Sequence, residues 1–64
     1  MKVGDLVVFS STSSKYAQWF LGEFATVISL SESSCRVRWK RPISYFDSKT
    51  VVSDFPRTSF THLG

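Results

Sequence analysis

Four cations close together in the chain, Arg36, Arg38, Lys40 and Arg41, are the side chains best placed to do chemistry, and that chemistry is electrostatic capture of an anionic surface. A strand has a side-chain period of two, so an extended segment here would put Arg36, Arg38 and Lys40 on one face and Val37 and Trp39 on the other. One segment would then supply both basic surface and core. A row of this kind can follow a phosphate backbone, each contact releasing counterions and so adding affinity. Exposed rings nearby could stack on unpaired bases at ~1 to 3 kcal/mol each. Tyr16, Trp19, Tyr45 and Phe46 are the candidates, with Trp19 and Tyr45 foremost. The same basic row also suits a solvated face that discourages edge-to-edge aggregation of a sheet.

Residue types that catalyse reactions are sparse. His62 is the sole histidine, and nothing in its neighbourhood marks it as a base rather than a strand residue. Cys35 has Arg36 beside it in sequence but across the strand in space, so a buried, unreactive thiol is expected. Asp47 and Asp54 lack metal-ligand spacing, and there is no glycine-rich phosphate loop, paired-carboxylate motif or Cys/His cluster. The chain is therefore expected to be no enzyme, with no catalytic residue, no metal and no cofactor.

The elements that position these residues must come from 64 residues, one domain's worth, which buries only ~60% of its unfolded surface. Ten aromatic residues compensate by burying a large area each: two Trp, two Tyr and six Phe. Cys35 is the only cysteine, which excludes an internal disulfide and fits a reducing compartment. The net charge of +3 could favour nucleic acid or an acidic protein surface, though solubility alone asks as much. Met1 to Asp5 has charge and glycine where a secretory signal needs an apolar run, and no segment approaches the ~20 apolar residues of a membrane span. A soluble, cytoplasmic protein without membrane attachment is expected.

Along the chain, a Gly4-Asp5 turn feeds a β-prone run, Leu6 to Phe9, and the polar stretch Ser10 to Lys15 predicts an exposed loop. Tyr16 to Leu21 fits either a helical turn or a strand: Tyr16, Trp19 and Phe20 share a helical face, yet aromatics favour sheets. Glu23 to Leu30 predicts a strand. The turn Ser31 to Ser34 then leads into Cys35 to Lys40 as an antiparallel hairpin. Pro42 ends the pairing or marks an edge, after which Ile43 to Phe46 extends a bent strand; Thr50 to Val52 predicts a further short strand. Ser53 to Arg57 predicts a single capped turn, and Ser59 to Leu63 a closing strand.

Lys2-Val3-Gly4-Asp5-Leu6-Val7, Gly22 with Ala25-Thr26-Val27-Ile28, Cys35-Arg36-Val37-Arg38-Trp39 and the final Phe60-Thr61-His62-Leu63 together resemble the SH3-like small barrels of bacteria and their phages, of the KOW and Tudor type. The resemblance implies one all-β domain over residues 1–64: a five-stranded antiparallel barrel with a short 3-10 turn before the last strand. It departs from the family pattern in the long Ser10 to Leu21 insertion and the Arg41 to Ser53 excursion. Since SH3 and Tudor relatives use aromatic walls, Tyr16, Trp19, Phe20, Tyr45 and Phe46 could line a peptide groove or, with Asp47 or Glu23, a cage for a methylated amine. The function expected is a small non-enzymatic binding module, of bacterial or phage origin. It would dock an acidic protein surface or nucleic acid through Arg36, Arg38, Lys40 and Arg41, helped by Trp19 and Tyr45. The alternative is a structural protein that self-associates through the same edges and rings, or an oligomer whose shared pore holds a site.

Overall fold

Alternation of buried and outward residues organises the chain from its first strand onward. A computed structural model describes residues 1–64. In β1 (Leu6–Phe9) Val7 and Phe9 are fully buried while Leu6 and Val8 are half-buried on the other face. The polar loop that follows ends in a short helix, α1 (Ala17–Phe20). The helical alternative for this segment is therefore the one realised. Ser14 starts the helix, its carbonyl accepting from Ala17 and its hydroxyl from the Tyr16 amide. Gly22, at φ +83°, ends it in the left-handed region open to glycine and returns an N–H to the Phe9 carbonyl at 2.9 Å.

Three longer strands follow, β2 (Phe24–Leu30), β3 (Ser34–Tyr45) and β4 (Ser48–Pro56), then a 3-10 turn (Arg57–Ser59) and β5 (Phe60–His62). All pair antiparallel in a single sheet of order β4-β3-β2-β1-β5. The expected five antiparallel strands and the 3-10 turn before the last one are present. Closure into a barrel is not: β4 and β5 are the two free edges and share no ladder. β5 is three residues long, and the edges meet instead through side chains, Phe55 lying 6.1 Å from Phe60 between ring centroids.

Two irregularities bend this sheet. Between β2 and β3 the register steps from Val27↔Val37 to Ser29↔Arg36, leaving Ile28 as an extra, outward residue. Between β3 and β4 it jumps from Arg38↔Val52 to Ile43↔Thr50, so Trp39 to Pro42 lie opposite Val51 alone. Pro42, which has no amide to donate, falls in this gap and does not interrupt β3. The bent extension expected at Ile43 to Phe46 is accordingly the far end of β3, which runs to Tyr45.

The capped turn expected at Ser53 to Arg57 is likewise replaced, for a visible reason. Ser53 accepts the indole N–H of Trp39 at 2.9 Å and caps nothing, Asp54 faces outward and Phe55 inward, and the residues continue β4 up to Pro56. The core beneath the sheet is largely aromatic. Phe9 is its centre, with ring centroids of Phe55 at 5.0 Å, Phe60 at 5.5 Å and Phe20 at 6.0 Å, while Phe20 stacks on Trp39 at 4.8 Å and 17°. Trp39 is 3% exposed, as its place opposite the basic row requires.

Candidate functional site

The outer face of β3 carries Arg36, Arg38 and Lys40, all exposed, in strict alternation with buried Cys35, Val37 and Trp39. Their surroundings differ. Arg36 is held in a two-point pair with Asp54 across the β3–β4 ladder, Nε to Oδ1 at 2.9 Å and Nη2 to Oδ2 at 3.2 Å. That hydrogen-bonded guanidinium holds the Asp54 carboxyl below its usual range, and the carboxylate in turn raises Arg36. Arg38 sits between Thr26 and Val52 in the sheet, and Lys40 lies one step beyond the Ala25↔Trp39 pair. Neither has a carboxylate within ion-pair distance.

Phe24 joins this face. It precedes buried Ala25, points outward at 49% exposure, and pairs with Val8 across the β1–β2 ladder. Its register position adjoins Lys40, so Phe24, a residue not singled out in the sequence, shares the outer face with the two unpaired cations of β3. The signal was present: in a strand whose core face is Ala25 and Val27, Phe24 must face away.

Arg41 departs from the row. The bulge at Trp39 to Pro42 turns it toward Glu23, with Nε to Oε1 at 3.0 Å and Nη2 to Oε2 at 2.8 Å. Hydrogen bonding by Arg41 holds the Glu23 carboxyl below its ordinary value, the opposing effect of desolvation being smaller. With Gln18, Trp19 and Pro42, these two residues line a depression of about 360 Å³ beside α1.

Trp19 and Tyr45 do come together, but on the core side of β3, away from Arg38 and Lys40. Their rings meet edge to face at 5.0 Å, and Tyr45 lies 5.6 Å from buried Phe20. Tyr16 lies 6.0 Å from Tyr45, and Phe46 packs at 4.5 Å on Tyr45 and 4.8 Å on Trp19. Lys15 places Nζ 5.2 Å above the Tyr16 ring. Desolvation, then the nearby Tyr16, raises the Tyr45 phenol. The expected site thus divides into an outer basic face and an aromatic cluster at α1 and the β3–β4 turn.

The remaining reactive groups are engaged or buried. Cys35 is buried and its thiol is pushed up by desolvation. His62 Nε2 lies 2.9 Å from Oδ2 of Asp5, which also accepts the Lys2 amide at 2.8 Å. No three His, Cys, Asp or Glu side chains stand close enough to hold a metal ion. No helix is long and apolar enough to cross a membrane. Compared with protein-family models, curated proteins and solved structures, the chain matches none.

Proposed function

We propose that this protein is a small, non-enzymatic binding module of SH3-like architecture that docks an acidic macromolecular surface on the outer face of its sheet. Support for the architecture comes from the strand order β4-β3-β2-β1-β5, the sharp bend of β3 and the 3-10 turn that carries β4 into β5. The docking proposal rests on one observation: Arg38 and Lys40 stand exposed and unpaired beside Phe24, whereas Arg36 and Arg41 are committed to Asp54 and Glu23. Cations left free on a sheet face, next to a solvent-facing ring, suit an anionic partner better than they suit stability, to which exposed charges add little.

The test is binding to two polyanions, an oligonucleotide and poly-glutamate, as salt rises from ~50 to 200 mM. Affinity should fall steeply. For a duplex oligonucleotide, Arg38→Ala and Lys40→Ala should each lower the slope of log K against log salt by about one unit. Arg36→Ala should change it less, because Asp54 already neutralises that side chain. Absence of binding to either polyanion at low salt would refute the proposal.

Self-association is the second reading, favoured by apolar side chains on the same face: Phe24, Ile28 and Val52 are all exposed there. Light scattering at high concentration would then give a multiple of 7.3 kDa. A monomer would eliminate it.

A further inference from the structure

Phe46 is the least economical residue in the fold. It is 71% exposed, and it is the one residue other than glycine with a positive φ, +54°, at the turn joining β3 to β4. Glycine or asparagine is favoured at such a position, and a bulky ring there carries backbone strain. It contributes little to the core, since its ring contacts are Tyr45 and Trp19, themselves only half-buried. Strain of this kind persists where a side chain must be displayed, and ligand clamps are where it collects.

What is displayed is one end of a connected set of rings, Phe46, Tyr45, Trp19 and Tyr16, with Lys15 at its rim. Tyr16 and Tyr45 help line two depressions, of about 300 Å³ and 410 Å³. Charge selects the occupant. Glu23 and Asp54 are taken up by Arg41 and Arg36, which leaves Lys2, Lys15, Arg38, Lys40, Lys49 and Arg57 without a carboxylate partner against Asp5, Glu32 and Asp47. A neutral peptide would use the rings and ignore that excess. Unpaired bases would use both, the rings by stacking and the cations through phosphate.

We infer that the Tyr16, Trp19, Tyr45 and Phe46 cluster is a stacking platform for unpaired bases of a single-stranded nucleic acid. The inference rests on the acidic-partner proposal above and names that partner's class. A single strand is required because bases held in a duplex do not offer their faces.

Phe46→Gly separates display from packing, because glycine accepts φ +54° without strain. The variant should melt no lower than the wild type. It should bind a single-stranded oligothymidine about 5- to 150-fold more weakly, the loss of one stacked base, with duplex binding unchanged. Phe46→Asn, also tolerant of this backbone, serves as a second variant. Oligothymidine should quench the emission of Trp19, which touches Phe46, and Trp19→Phe should abolish the quench while buried Trp39 still emits. Unchanged oligothymidine binding by Phe46→Gly overturns the platform while leaving the outer face intact. Binding to poly-glutamate but to no oligonucleotide overturns it in favour of an acidic protein. Binding of an uncharged oligoproline with oligothymidine inert assigns the rings to a peptide. Binding to neither polyanion overturns both proposals.

Discussion

Trp39→Ala tests whether the strand that bears the basic row is also the keystone of the core. Trp39 is 3% exposed, stacked on Phe20 at 4.8 Å, within 6.5 Å of the Phe9 ring and 6.0 Å of Phe60, and its indole N–H is satisfied by Ser53 at 2.9 Å. Removing a large buried ring costs ~3 to 5 kcal/mol, through lost burial and the cavity left behind. Typical stabilities per residue give a chain of this length roughly 3 to 10 kcal/mol in all. The variant should therefore be largely unfolded or barely folded at 25 °C. Urea titration followed by far-UV circular dichroism reads this directly: at ~1 kcal/mol/M for a small domain, the midpoint should fall by about 3 M or more. Trp39→Phe keeps a ring against Phe20 but gives up the Ser53 bond and part of the area. Its loss should be about 1 to 2 kcal/mol. A cooperative Trp39→Ala transition displaced by less than ~1 kcal/mol would refute the packing argument, and with it the assignment of the two faces of β3.

Two further outcomes follow from the perturbed groups. Glu23 and Asp54 titrate below their ordinary values of 4.5 and 3.8, so their pairs contribute stability that is complete above those values and is lost as pH falls through the lower native ones. Melting temperature should drop as the solution is taken below pH ~4, and Glu23→Gln or Asp54→Asn should flatten that drop; an equally steep curve in the variants would refute it. Cys35, buried and with its thiol raised by desolvation, should react with a thiol reagent at pH 8 only as fast as the chain opens, and at once in denaturant. Immediate labelling of the native protein would contradict its burial.

Much of this fold follows from local pattern. Val7 and Phe9, Ala25 and Val27, Val37 and Trp39 each alternate with outward residues, and a period of two leaves their face no choice. Register was harder to anticipate. Nothing local requires that Ile28 be skipped or that Trp39 to Pro42 bow out opposite Val51, because a bulge is decided by what the neighbouring strand and the core need. The end of β4 was hidden for a similar reason. Ser53-Asp54 has the composition of a helix cap, but Trp39 and Arg36, distant in sequence, claim those side chains for the sheet. Tertiary partners overrode a local preference.

The candidate site was legible to the extent that it depends on alternation, and no further. Four neighbouring cations look equivalent in the chain; in space two of them are structural ties, Arg36 joining β3 to β4 and Arg41 joining β3 to Glu23, just before β2. Only Arg38 and Lys40 remain free, and the rings grouped with them in sequence stand on the other side of the strand. On the docking proposal, this division constrains the partner. A compact acidic surface approaching the outer face would meet Arg38, Lys40 and Phe24 but could not reach Trp19 or Phe46 across β3. A flexible polymer can follow β3 past the end of its pairing with β2 at Trp39, over Lys40 and Arg41, to the cluster at Tyr45. If both faces serve one ligand, that ligand must be extended and anionic, with flat groups that stack, which is why the strained display of Phe46 and the free charge of Lys40 point to the same chemistry.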